Sequence, residues 1–257
     1  SGMGADEIFL GYGNHLLTLL SQYFDKSPRL LSNLILNILS NLKQGSGYFK
    51  GYKRFLKKLG KYYNYPNYKY GLYSIVGDFE NSSKVINGSN EPSINIFKSY
   101  FENNSDPFLG VQKFELDNFL VKNLHYLDRM CMANSVEGRV PFMDHNLVEY
   151  VLKLPRNFKL GNLGKQKIIL KSALEGKVPN KILYRRKAGF GMPLRSIFKK
   201  REKLAELIDF DFLTSFKFFN IDHIHNLIDK HIEGYEDNSA ILYSIISFQS
   251  WYKVHIA

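Results

Sequence analysis

The stretch "LDRMCMANSVEGRVPFMDH", residues 127–145, decides how the rest of the chain is read. It closes a long helical stretch that runs from Asp106 to Val136, with a break expected near Gly110. Asp128-Arg129 and Glu137-x-Arg139 then set two acid–base pairs close together. Pro141 stops one helix, and Asp144 is placed to cap the next. An ion-pair network joining two helices would use the same residues, and that reading applies most strongly to Asp128, Arg129 and Asp144. Cys131, between Met130 and Met132, reads as a small core residue.

Outward from this stretch the helical period dominates. Helices are expected over His15 to Phe24 and over Ser27 to Leu42, the latter with Ser27 at the N-cap and Pro28 in the first turn. Two more follow at Asp144 to Leu154 and Lys165 to Glu175. The segments "IDHIHNLIDKHIEG" and "SAILYSIISFQSWYKVHI" supply another two near the end. "NYPNYKYG" and "ENSSKVINGSNEPS" read as loops. Alternating strand patterns are nearly absent, so a mostly α chain is expected.

Composition narrows the class. Apolar residues make up 44% of the 257, enough for a core, and a single cysteine excludes an internal disulfide. No uninterrupted apolar run approaches the roughly 18 residues of a membrane span. No leader pattern is seen, and a cytoplasmic location is expected. The net charge of +11 asks for an anionic partner or a solvated basic face. It concentrates in "YFKGYKRFLKKLGKYY", where Lys50, Lys53, Arg54, Lys57, Lys58 and Lys61 share one helix face, expected to be solvated. No nucleic-acid-binding motif accompanies it, so no nucleic-acid partner is expected. His223, His225 and His231 suggest a metal, but a His-x-His pair on a helix splits across two faces.

Two further clusters carry chemistry. "SGMGADE", residues 1–7, is a small-residue turn followed by paired acids. Such a turn lets backbone N–H groups approach a phosphate while a carboxylate holds Mg²⁺, and it is equally a simple helix cap. "YRRKAGFGMPL", residues 184–194, sets consecutive cations before a glycine-rich loop, suited to an anionic ligand or to a surface turn. Upstream, Lys167 and Lys171 are expected on one helix face.

In this order the clusters resemble the synthetase domain of the glutamine-hydrolysing asparagine synthetase family. The matching segments are S-G-M-G-A-D-E, D-R-M-x-M-A-x-S-V-E-G-R-V-P-F-M-D-H, K-x-I-L-K with R-R-K-A-G-F-G-M-P, and the final tryptophan-bearing helix. The resemblance spans residues 1–257, although residues 81–106 carry no motif. It implies the C-terminal helical part of an adenine-nucleotide α-hydrolase-like (PP-loop) α/β synthetase domain. Most of the parallel sheet, the pyrophosphate loop and the glutaminase domain would then lie outside this chain, leaving it inactive alone.

The resemblance also implies a chemistry. Family members adenylate a carboxylate of aspartate or an analogue with ATP and Mg²⁺, release pyrophosphate, and let glutamine-derived ammonia displace AMP. Ser1 and Gly2 match ATP-contacting positions, and Asp6 matches the metal-holding acid, with Glu7 a neighbour or cap. Lys187 matches the lysine that stabilises the adenylation transition state. Glu137 and Arg139 match a pair lining the site, with a positioning role. A homodimer is one admissible assembly. Position 3 departs from the pattern. It is an acid in asparagine-forming members and a tyrosine in the related β-lactam synthetases, whereas Met3 can neither accept nor donate a proton. An amide made on another acid fits Met3, as does a non-catalytic binding or scaffold module.

Overall fold

The computed structural model describes residues 1–43, 50–75, 78–87, 91–102, 106–185 and 192–256. Lys187 and the rest of the glycine-rich loop, residues 186–191, lie outside the described residues. Short helices joined by turns account for most of the chain, and among the described residues the only extended pairings are two isolated bridges, Ile86 with Phe219 and Leu160 with Gln166. The mostly helical reading therefore holds. The chain divides into two compact units: Ser1–Ser32, Tyr62–Ser74 and Asn95–Ala188 in the first, and Asn33–Lys61, Ile75–Ile94 and Gly189–Ala257 in the second.

In the first unit, Asp106 caps a helix that starts at Pro107, its carboxylate accepting the Phe108 N–H at 2.9 Å. The helix does not break at Gly110. It continues from Pro107–Phe114 through a widened π turn, Glu115–Leu120, into Val121–Met132. Gly110 serves close approach instead: a Cβ there would lie 2.7 Å from the Phe101 ring and 2.9 Å from the Tyr100 carbonyl. His145–Lys153 starts as expected, with the Asp144 carboxylate accepting the Leu147 N–H at 3.1 Å. Ala5, Ile8, Phe9 and Val151 are buried together, packed by Phe142, Met143, Leu147 and Ile169. The first motif, the middle motif and the K-x-I-L-K helix thus share one core.

Several local expectations fail for identifiable reasons. Ser27 does not cap the helix after it, because its hydroxyl bonds back to the Tyr23 carbonyl; that helix is Arg29–Ser40, and Pro28 supplies its first accepting carbonyl. Within the two expected loops the chain turns into Lys69–Ser74, whose Leu72 and Tyr73 are fully buried, and Phe79–Lys84, capped by Asp78. Cys131 is half-buried rather than core, since Val121–Met132 has no buried residue; its sulfur would meet a Cβ on Gly138 at 3.3 Å.

The second unit is built on Ile221–Ile232 and Ser239–His255, whose Ile224, Leu227, Ile228, Leu242 and Ile245 bury against Leu204 and Leu213. Its helix Lys50–Tyr62 meets the expectation of a solvated basic face only in part: Lys53 and Arg54 are exposed, while the cations of its second half turn inward. Lys57 is buried and paired with Glu236 at 2.9 Å, Lys61 meets Asp78 and Glu80, and Arg54 lies 3.7 Å from Asp237. The acids come from distant segments, which a helical projection of one stretch does not reveal. Lys58 donates to the Ile75 carbonyl, and burial pushes its amine down to about 7.

Gly60 sets the approach of two helices in this unit. A Cβ there would stand 2.5 Å from both the Leu36 carbonyl oxygen and the Ser40 nitrogen, which are backbone atoms that cannot rotate aside. Gly60→Ala is expected to destabilise the chain by about 2 kcal/mol through overpacking, measured as a lowered urea midpoint; an unchanged midpoint would contradict this packing.

Candidate active site

The site grows from the turn that opens the chain. Gly4 has a φ of 91°, and Met143 fills the space where its side chain would be, with Cε 2.1 Å from an ideal Cβ. Only glycine fits both conditions. The single helical turn Ala5–Ile8 that follows sends its two acids to different places. Glu7 is buried and accepts the Tyr12 hydroxyl at 2.7 Å. Burial pushes its carboxyl above the usual range, against the lowering effect of that hydrogen bond. Asp6 stays about a quarter exposed and turns toward a pocket.

A buried polar layer holds this turn. The Gln112 side-chain amide donates to the carbonyls of Glu7 (3.3 Å) and Ile8 (2.6 Å), which the short helix leaves without partners. Lys159 in turn donates to Gln112 Oε1 at 2.8 Å and to the Val151 carbonyl at 3.2 Å, and burial pushes its amine down to about 8. His15, fully buried, accepts the Tyr12 N–H on Nδ1 at 3.1 Å. That contact places the ring proton on Nε2, which faces Glu115 at 2.8 Å from the π turn.

The pocket beside Asp6 has a volume of about 460 Å³ and is lined by Gly11, Lys165, Gln166, Lys167, Lys171 and Arg185 as well as Asp6. Part of its lining is a strap, residues 165–167, of which the sequence pointed to Lys167 but not to Gln166. Gln166 donates to the carbonyls of Leu10 (3.1 Å) and Tyr12 (2.6 Å), tying the strap to the segment that follows the first motif. Lys167 does not share a helix face with Lys171, because the helix begins at Ile168 and Lys167 sits before it with a φ of 56°. Its ammonium pairs with Asp6 at 2.8 Å. Lys171 lies over the Tyr184 ring, 5.5 Å from its centroid. The signal that could have found the strap is "GKQK", two lysines bracketing a glutamine just before a helix.

The middle motif meets the first along its backbone. The Ser1 nitrogen donates to the Arg139 carbonyl at 2.7 Å, and the Phe142 ring meets Phe9 edge-on at 6.2 Å. Glu137 and Arg139 are exposed and paired with each other at 2.9 Å. Neither lines the pocket that Asp6 enters. Met3 is half-buried, its N–H donating to the Ser1 hydroxyl at 3.4 Å. Among the described residues Asp128 and Arg129 form no ion pair, contrary to the network that their sequence suggested.

The charge balance suits an anion more than a bare metal. Four cations and one carboxylate line the pocket, and among the described residues no group of three or more His, Cys, Asp or Glu side chains could hold a metal ion. A single carboxylate still fits Mg²⁺ that arrives on a nucleotide, since this ion takes one or two carboxylates and fills its shell with phosphate oxygens and water. The histidines of the second unit go to separate partners: His223 to the Asn81 carbonyl, His225 stacked on Phe210, and His231 to the Asn238 N–H.

Comparison with known proteins gives this geometry a family. The model described as asparagine synthase matches residues 1–253, and the chain belongs to that family. Asparagine synthetase [glutamine-hydrolyzing] 1 of Bacillus subtilis (strain 168) is 27% identical, covering 100% of this chain and 40% of that protein. Asparagine synthetase [glutamine-hydrolyzing] 3 of the same organism is 47% identical over 72 residues, 28% of this chain and 12% of the relative. The Gallus gallus asparagine synthetase [glutamine-hydrolyzing] is 35% identical over 74 residues, 28% of this chain and 13% of its own length. The chain therefore spans well under half the length of the curated relatives it matches. No solved structure matches it. No helix among the described residues is long and apolar enough to cross a membrane.

Lys159 gives the buried layer a pH signature. Its amine has a folded value of about 8 against roughly 10.4 in an unfolded chain. Between these values the unfolded state binds more protons, so the stability contributed at this site rises with pH. The urea midpoint of the wild type relative to Lys159→Met should therefore increase from pH 8 to pH 10. A difference that stays constant across this range would contradict the assignment.

Proposed function

We propose that this chain is the C-terminal part of a synthetase domain that joins ammonia to a carboxylic acid at the expense of ATP, forming AMP and pyrophosphate. The observation that carries this reading is the convergence of Asp6 with Lys165, Lys167, Lys171 and Arg185 around one pocket, in a chain of the asparagine synthase family. Such a site neutralises phosphate charge by position, which is where most of the rate enhancement of phosphoryl and adenylyl transfer arises. The pyrophosphate loop, most of the parallel sheet and a glutaminase domain would be supplied by an upstream part of the protein. That part would deliver ammonia from glutamine.

In this reading a carboxylate oxygen of aspartate or an analogue attacks the α-phosphorus of ATP. An acyl–oxygen–phosphorus linkage forms, and the bond to the β-phosphate oxygen breaks. Ammonia then attacks the acyl carbon, a carbon–nitrogen bond forms, AMP departs and a proton is lost. Ser1 and Gly2 would contact ATP, and Lys187 would stabilise the charge that builds up in the first step. Asp6 would hold Mg²⁺, which when bound offsets phosphate charge. Glu137 and Arg139 would position the acceptor from the exposed edge of the middle motif. The cytoplasm is the expected compartment and a homodimer an admissible assembly, with no nucleic acid as partner.

Met3 supports a second reading. A thioether can take no proton from ammonia, so a family member kept as a nucleotide-binding module would carry the same site without turnover. Lys187→Ala separates the two when made in the protein joined to its upstream parts. The ligase reading expects AMP formation to fall about a hundredfold with ATP still bound. Nucleotide binding with no AMP from the wild type would favour the binding module, and an unchanged rate in the variant would remove Lys187 from its role.

A further inference from the structure

Lys171 and Glu175 lie four residues apart at the end of the helix Ile168–Leu174, with Glu175 at its C-cap. On a helix surface a lysine and an acid at that spacing are neighbours and commonly pair. Glu149 and Lys153 do so in the helix His145–Lys153, at 4.0 Å. Among the described residues Lys171 and Glu175 form no such pair; Tyr184 engages both instead. Its hydroxyl donates to Glu175 Oε1, and its ring lies under the Lys171 ammonium, 5.5 Å from nitrogen to centroid. The chain folds back to bring Tyr184 there. Gly176, with a φ of 76°, follows the helix, and the Lys177 and Val178 N–H groups both donate to the Leu174 carbonyl at 3.0 Å. The single turn Asn180–Leu183 then delivers Tyr184. Arg185, the next residue, lines the same pocket as Lys171.

We propose that Tyr184 is a positioning residue: it holds Glu175 and Lys171 apart, and so keeps the Lys171 ammonium at the pocket for an anionic ligand. The proposal rests on reading that pocket as a polyphosphate site. Closed onto Glu175, Lys171 would lie along its own helix and offer a phosphate little net charge. Over the ring it keeps its full charge, since an aromatic face attracts an ammonium without neutralising it. An incoming phosphate then meets Lys171 beside Lys165, Lys167 and Arg185. Glu175 is held by the hydroxyl and does not line the pocket. Tyr184 is 53% exposed and lies outside the buried cores, so its contacts can be removed without opening the fold.

The test is calorimetric titration with inorganic pyrophosphate and Mg²⁺, in the protein joined to its upstream parts. Tyr184→Leu should weaken binding about three- to fivefold, the scale of one exposed ion pair. Adding Glu175→Gln should restore it, because Lys171 then has no acid to close upon. A merely structural role for Tyr184 would not be rescued in this way. In a Lys171→Gln background, itself weakened, Tyr184→Leu should have no further effect. Unchanged binding in Tyr184→Leu would overturn the proposal, as would a loss that Glu175→Gln leaves in place or one that persists without Lys171. Wild-type binding that Lys171→Gln does not weaken would overturn it as well. A wild type that binds no pyrophosphate would instead remove the polyphosphate reading of the pocket, and this inference with it.

Discussion

The Gln112 amide closes the carbonyl end of the Ala5–Ile8 turn, and that pair of hydrogen bonds decides where both acids of the first motif point. A four-residue helix has almost no cooperativity of its own. Held by Gln112 from one side and by Met143 against Gly4 from the other, it keeps a fixed rotation. Glu7 then faces the interior and its Tyr12 partner, and Asp6 faces the pocket. Lys159 carries the restraint further, joining Gln112 to the Val151 carbonyl and hence to the helix that follows the middle motif.

Cations are used in two ways in this molecule, and the net charge of +11 does not distinguish them. In the second unit Lys57 and Lys61 turn inward to acids from distant segments and act as structural ties. Cations so placed are not offered to a polyanion. Around the pocket of the first unit, Lys165, Lys171 and Arg185 gather beside a single carboxylate. There the positive charge exceeds what Asp6 can offset, and an anionic ligand is the natural complement.

How much of this was legible in the sequence follows from the range of each interaction. Caps that act within one turn were readable: Asp144 lies where its spacing from Leu147 puts it, and the two helices of the tail lie where their periodicity puts them. Ser27 was misread because a hydroxyl can bond to either neighbour, and here it chose the turn behind it. Gly110 was misread as a break because the Phe101 ring that explains it is invisible to a local pattern. That Asp6 and Glu7 diverge follows from helix geometry, which sends successive residues to different faces; that Glu7 is the one turned inward follows from Gln112 and Tyr12, distant or turn contacts that no local pattern shows. The strap at Gln166 and Lys167 was partly visible as two lysines, but a left-handed residue before the helix moved Lys167 off the face it was expected to share with Lys171. The resemblance, in contrast, rested on long runs of identity and found the family from residues whose contacts it could not describe.

Met3 is where family membership and chemistry come apart. The turn around it is intact, with Gly4 fitted under Met143, Asp6 at the pocket and Glu7 buried, yet a thioether stands where the resemblance implies an acid that assists formation of the acyl-adenylate. Adenylation is therefore the step that Met3 puts to the test and the one on which the account depends. The direct measurement is isotope exchange, in the protein joined to its upstream parts, between radiolabelled pyrophosphate and ATP, with Mg²⁺, candidate carboxylic acids and no ammonia. The account predicts that label returns to ATP only when an accepted acid is present, because the acyl-adenylate and pyrophosphate recombine. Release of ADP and phosphate in place of AMP and pyrophosphate, or no exchange with any acid while ATP remains bound, would contradict it.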